Sequence, residues 1–110
     1  MPTTYKVLGQ VVSTASVDTN VYTVPSSTTA IISSIVVVNR GTDGTTFRVA
    51  VRPNGATIEN KHYVAYGVAL AKSSTAVMTI GITCAVSDVI SVYSTNGTLS
   101  FNLFGAEIEL

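Results

Sequence analysis

The sequence predicts an all-β chain folded as a single antiparallel β-sandwich, jelly-roll-like, with about seven or eight strands. Three observations predict it. Val, Ile and Thr supply 41 of the 110 residues, and β-branched side chains fit a pleated, half-buried strand better than a helix. Apolar and polar residues alternate with a period of two between clusters of Gly, Pro, Asn and Asp, and no helical period competes with it. A chain of 110 residues and 11.5 kDa holds one hydrophobic core, so residues 1–110 are expected to form one domain.

The first strand is expected over Tyr5 to Val12, with Tyr5, Val7, Gly9 and Val11 on one face and Lys6, Leu8 and Gln10 on the other. A polar loop leads to Val21–Val24, which Pro25 ends because it lacks an N–H for the ladder. Ala30–Arg40 is apolar at both parities, which predicts burial on both sides and a strand that is central or bends between sheets. Gly41-Thr42-Asp43-Gly44 reads as a hairpin loop with glycines at positive φ. Thr45–Arg52 alternates cleanly, Phe47, Val49 and Val51 against Arg48, Ala50 and Arg52. Pro53-Asn54-Gly55 marks a turn. Further strands are expected over His62–Leu70, Ala76–Ile82, Val89–Ser94 and Thr98–Phe104, with Asn96-Gly97 as a last hairpin and Gly105–Leu110 as an edge or arm.

Charge narrows the function. Six basic and six acidic residues leave no net charge, and only 11% of the chain is charged, against roughly a quarter in ordinary soluble domains. Neither a nucleic acid nor an anionic membrane, both held by bulk electrostatics, is expected as a partner. The longest apolar stretch, Ala30 to Val38, is about half of the ~20 residues a spanning helix needs. The N-terminal residues lack a basic segment followed by an apolar run, so no secretory signal is expected and synthesis is placed in a cytoplasm. Cys84 is the lone cysteine, set in an apolar stretch, and is expected as a small buried hydrophobe.

Catalytic machinery is sparse. His62 is the one histidine, and twelve serines without a second base make no triad; His62 is expected at the surface or rim. Asp43, Glu59 and Asp88 lie in different turns, and Asp88 is expected to cap its own. No catalytic, cofactor-binding or metal-binding residue is therefore predicted. A carbohydrate-binding module is weakened by the lack of Trp and by five tyrosines scattered along the chain. Arg48 and Arg52 stand out, since residues four apart on a strand share a face about 13–14 Å apart, and Arg is favoured at interfaces. Low charge and apolar residues on both strand faces favour edge pairing, so a homo-oligomer is expected.

Five segments carry a resemblance: Tyr5-Lys6-Val7-Leu8-Gly9-Gln10, Val21-Tyr22-Thr23-Val24-Pro25, Val38-Asn39-Arg40-Gly41, Phe47-Arg48-Val49-Ala50-Val51 and Leu99-Ser100-Phe101-Asn102-Leu103-Phe104-Gly105. In this order and at this spacing, over nearly the whole chain, the sequence resembles small all-β virion structural proteins of tailed bacteriophages, many from phages of aquatic bacteria including cyanobacteria. The resemblance implies a non-enzymatic particle component located in the virion. Two sites in the particle are open: a capsid decoration (cement) protein on the head, with the major capsid protein and its own copies, plausibly as a trimer, for partners, or a tail, baseplate or fibre-adaptor module. A cellular carbohydrate-binding module is the reading outside the virion. The contact residues expected from exposure patterns are Tyr5 and Lys6 at the start, Arg48 and Arg52 on the outer face, and Phe104 near the end.

Overall fold

A computed structural model describes residues 2–110. Nine strands form among the described residues: β1 (Thr3–Val12), β2 (Thr19–Thr23), β3 (Thr28–Asn39), β4 (Thr45–Arg52), β5 (Tyr63–Leu70), β6 (Thr75–Met78), β7 (Ile82–Cys84), β8 (Val89–Ser94) and β9 (Leu99–Glu109). Two 3-10 turns, Pro53–Gly55 and Asn60–His62, join β4 to β5. The first sheet has the order β1-β9-β3-β6, with β7 continuing along β3, and the second has the order β2-β8-β4-β5. All strand pairs are antiparallel. The chain thus passes back and forth between two facing sheets, the connectivity of a jelly roll, and the expected all-β sandwich is the fold.

The core lies between the sheets. Ile32, Ile35 and Val37 of β3 and Leu99, Phe101 and Leu103 of β9 meet Phe47 and Val49 of β4 and Ile90 and Val92 of β8, all fully or almost fully buried. Within each regular stretch these residues follow the two-residue period, because alternate side chains of a strand point to the same face; Ile32 and Ile35 are three apart because the register of β3 shifts between Ile32 and Ser34. Phe47 and Phe101 meet edge to face across the two sheets, with ring centroids 6.1 Å apart and planes at 74°.

Several local expectations are corrected. The parity of β1 reverses at a bulge between Val7 and Gly9. Tyr5 and Val7 therefore point away from the core, whereas Gly9 and Val11 point into it, and the extra residue Leu8 is buried. Gly41–Gly44 and Asn96-Gly97 are not hairpins, because β3 and β4, like β8 and β9, lie in different sheets. Positive φ falls instead at Gly67, at Ser16, Ser27, Ser73 and Ser87, and, as the turn signal there implies, at Asn54 and Gly55. Gly41 is needed for close approach, since a Cβ there would meet Thr98 at 2.9 Å. The segment expected as one strand over Ala76–Ile82 breaks into β6 and β7. Gly105–Glu109 is no edge or arm but the second half of β9, paired with β1 on one side and β3 on the other. Finally, β3 is buried on one side only; on the other, Ile31 stays exposed and Val36 half-buried.

Phe101 fills the centre of this core. Replacing it with Ala is expected to lower unfolding free energy by about 3–5 kcal/mol, a large part of the roughly 5–15 kcal/mol that holds a small domain. Urea denaturation of Phe101→Ala beside the parent chain measures it, and a loss below about 1 kcal/mol would mean that the site repacks without a cavity.

Candidate functional site

The expected contact residues separate onto opposite sides of the sandwich. Tyr5 and Phe104 belong to the outer face of the first sheet, and Arg48 and Arg52 to the outer face of the second. Lys6 points the other way from Tyr5 and is tied down within the molecule.

On the first sheet, apolar residues continue from strand to strand in register. Tyr5 stands opposite Ala106, which stands opposite Ile31; Val7 stands opposite Phe104; Val36 stands opposite Val77. Single exposed apolar residues are ordinary on a protein surface, but this row crosses neighbouring strands. Tyr5 is 84% exposed and Val77 61%. Two amides punctuate the strip, with Gln10 Nε2 donating to Asn102 Oδ1 at 2.9 Å.

Behind the strip, three side chains join the sheets. Lys6 Nζ lies 2.7 Å from Glu107 Oε1, and the Tyr22 hydroxyl donates to Glu107 Oε2 at 2.5 Å. The Lys6 bond first, and the Tyr22 bond second, hold the Glu107 carboxyl below the usual carboxylate range. Burial above all, and then the Glu107 hydrogen bond, push the Tyr22 phenol well above its ordinary value. The triad anchors β1 and β2, the edge strands of the two sheets.

The outer face of the second sheet is polar and aromatic. Arg52 is fully engaged: Nε donates to Ser91 Oγ at 3.1 Å, one terminal nitrogen to the Ala56 carbonyl at 3.2 Å and the other to Asn20 Oδ1 at 2.8 Å. Arg48 is held differently. Its guanidinium carbon lies 4.4 Å from the ring centre of Tyr66 on β5 and 4.1 Å from that of Tyr93 on β8, within cation–π range of both. Tyr63 meets Tyr66 edge to face at 4.8 Å, and Asn60, Tyr63 and Tyr66 line an open concavity of about 470 Å³. Three of the five tyrosines, spread over thirty-one positions of sequence, are thus collected around one arginine. They looked scattered in the sequence because strand register brings β5, β4 and β8 together, and register is not written in any one segment.

His62, expected at the rim, is buried in the second 3-10 turn, where its Nδ1 accepts from the Glu59 N–H at 3.0 Å. Asp88 caps its own turn through the Ala85 N–H and also accepts from the Asn54 N–H, both at 2.8 Å. Asn39 was not singled out by sequence, yet it is almost fully buried and its amide donates to the carbonyls of Asp43, Leu70 and Ala71. Its Oδ1 accepts from the Gly41 N–H and the Thr98 hydroxyl. No group of three or more His, Cys, Asp or Glu able to hold a metal occurs among the described residues, and no helix among them is long and apolar enough to cross a membrane.

Compared with known protein families and with curated proteins, the chain matches none.

Two expectations follow from the titratable groups. Because the Glu107 carboxyl takes its proton at a lower pH when folded than when unfolded, its contribution is complete above the unfolded value near pH 4.3 and is lost as pH falls through the folded one. Glu107→Gln is therefore expected to be less stable near neutrality and to show a flatter loss of stability on acidification, read from urea midpoints at successive pH values. Cys84 is 1% exposed, and burial first, then the Asp88 charge, push its thiol up to about 11. A thiol reagent at about pH 8, where thiolate is the reactive form, is expected to leave native Cys84 unmodified over hours and to label it fully in urea.

Proposed function

We propose that the protein is a non-enzymatic virion structural subunit, a decoration protein on the head of a tailed phage that self-associates and docks on the major capsid protein through the outer face of its first sheet. The observation that carries this reading is the apolar outer face of the first sheet, where Tyr5 and Ile31 flank Ala106 in one row, Val7 stands beside Phe104 in the next, and Val36 stands beside Val77 further along. Left in water, such a strip beside the exposed edge of β1 invites uncontrolled pairing; covered by a neighbour, it contributes about 25 cal/mol for every Å² of apolar surface removed from water. The resemblance of the five sequence segments to phage structural proteins supports the virion, and the absence of net charge suits a position away from packaged DNA.

The energetics suit many weak contacts better than one strong one. A strip a few side chains long gives a modest interface, and a symmetric shell multiplies modest interfaces through effective concentration. A subunit bridging neighbouring capsomers must detach before they separate, which is how it would strengthen a shell under outward pressure. The Lys6–Glu107–Tyr22 triad ties β1 to β9 and β2, so Tyr5 is presented from an anchored strand.

Immunogold electron microscopy of phage particles whose genome encodes the chain tests the location, with even labelling over the head expected. Label confined to the tail tip or collar would move the protein to the tail or baseplate, and unlabelled particles would overturn the virion reading. Tyr5→Glu is expected to keep the far-ultraviolet circular dichroism of the parent and to be depleted from particles at least about tenfold, the factor that 1.4 kcal/mol of lost contact brings. Undiminished incorporation would remove the strip from the interface.

A further inference from the structure

We propose that the outer face of the second sheet is a binding site for an acidic sugar, a carboxylated pyranose that lies against the tyrosines and sets its carboxylate on Arg48. The site is on the opposite side of the sandwich from the apolar strip, so it does not rest on the assembly reading.

The argument begins with the contrast between two arginines of one strand face. Arg52 spends its donors on Ser91, Ala56 and Asn20, and Arg40 likewise donates to the Ser100 hydroxyl and the Gly97 carbonyl. The Arg48 side chain makes no hydrogen bond and no ion pair to any described residue, although the residue is only partly exposed. Its two contacts are aromatic, Tyr66 on the strand to one side and Tyr93 on the strand to the other. A guanidinium flanked by rings is oriented without using its N–H groups, which lie in its own plane and remain available. Such a planar fork matches a carboxylate, which it can bind through two parallel charge-assisted hydrogen bonds. A lysine between the same rings would offer a point charge and no fork.

The neighbourhood favours a sugar as the carrier of that carboxylate. Tyr66 is 60% exposed and, with Tyr63 and Asn60, bounds the open concavity of about 470 Å³, a volume within the range of small-ligand sites. The edge-to-face contact with Tyr63 at 4.8 Å and the Arg48 contact at 4.4 Å hold the Tyr66 ring from two sides, so the aromatic surface is fixed before a ligand arrives. In the proposed pose the C–H face of a pyranose lies against tyrosine, the Asn60 amide bonds ring hydroxyls, and the guanidinium, 4.4 Å from the centre of the Tyr66 ring that bounds the concavity, takes the carboxylate. An acidic peptide would supply the carboxylate but leave the flat aromatic surface and the concavity without a counterpart.

The chemistry is shared by uronic and sialic acids, and two pairs of probes distinguish them: trigalacturonate beside its methyl ester, and 3′-sialyllactose beside lactose. Amide shifts of the isotope-labelled full chain are followed on titration. At least one acid is expected to move the signals of Asn60, Tyr63, Tyr66 and Tyr93, to bind about tenfold or more tightly than its neutral partner, and to weaken as salt is raised. Arg48→Met is expected to abolish that preference without changing the weak binding of the neutral sugar. Equal binding of acid and neutral partner in both pairs, shifts confined to other surfaces, or no shift up to about 10 mM, weaker than the millimolar limit of useful recognition, would overturn the proposal. A Glu-rich peptide that binds Arg48 while neither acid does would overturn the sugar reading and make the site a protein-docking one. The acid-versus-neutral comparison uses the parent chain, so it stands even if Arg48→Met fails to fold.

Discussion

Everything in this sandwich depends on the passage of β9 between β1 and β3. It is paired along its length on both sides, and so it carries the continuity of the first sheet and the largest share of its inner face. The pairing with β3 is possible only because Gly105 has no side chain: a Cβ there would lie 1.9 Å from the Ile31 carbonyl oxygen, closer than any two non-bonded atoms come. At the same level both neighbouring strands depart from regular register, β1 between Val7 and Gly9 and β3 between Ile32 and Ser34. Each places one more residue than β9 does over that stretch. Strands with such an irregularity bend and twist, which lets the sheet close over the core instead of lying flat. One missing side chain in β9 and one extra residue in each neighbour are parts of a single geometric solution.

The same economy governs the polar groups. With 11% charged residues, the chain uses amides, hydroxyls and the Asp88 carboxylate at its corners, beside the Lys6–Glu107 ion pair within the first sheet. Asn39 sits where β3 leaves the first sheet and bonds three carbonyls, an N–H and a hydroxyl from three separate segments. Ser13 and Ser94 share a bond of 2.6 Å where β1 leaves for the second sheet, and Asp88 ties the turn before β8 to the turn after β4. None of the buried side-chain polar atoms among the described residues lacks a partner. Neutral bonds of this kind lose less on desolvation than buried charges do, so a low-charge chain can place them at the corners where backbone groups would otherwise be orphaned.

This division also explains what could be read in the residues beforehand. The alternation in β4, β8 and β9 revealed their inner faces because each is regular and faces one core. Strand number and spacing pointed to a jelly-roll-like sandwich, whereas the order of strands within each sheet comes from the pairing alone. The outer orientation of Tyr5 could be read, but not that Gly9 and Val11 turn inward, because a bulge reverses parity without leaving a residue type that marks it. Turn residues at Gly41–Gly44 and Asn96-Gly97 marked where the chain turns, yet a corner between sheets and a hairpin within one use the same residues, and only the pairing decides. Double-sided apolarity in β3 pointed to burial on both sides; it comes instead from the register shift between Ile32 and Ser34, which turns Ile32, Ile35 and Val37 to one inner face, and from an outer face left apolar at Ile31 and Val36. His62 was misjudged because a capping bond to Glu59 is a local geometric event with no periodic signature. The tyrosine cluster was the least legible, being made by three strands whose order in space differs from their order in sequence.

The two outer faces are made by opposite means, and this lets them act separately. The first sheet leaves Val, Ile, Phe and Tyr side chains on its surface, so any partner gains mainly by removing water, with little directional demand. The second sheet spends its hydroxyls, amides and one arginine on an internal network around Arg52 and Ser91, leaving a second arginine oriented by rings alone. A stacked guanidinium contributes to stability through its aromatic contacts whether or not an anion is present. Its donors therefore do not have to be satisfied within the fold, and water meets their needs at the surface until a better acceptor comes. Between the faces lies a core about one sheet spacing, roughly 10 Å, thick, with Phe47 against Phe101 at its centre. Such a close-packed core has low compressibility, so each outer face rests on a firm base. The jelly roll puts the two sheets back to back, so one face can be covered without blocking the other.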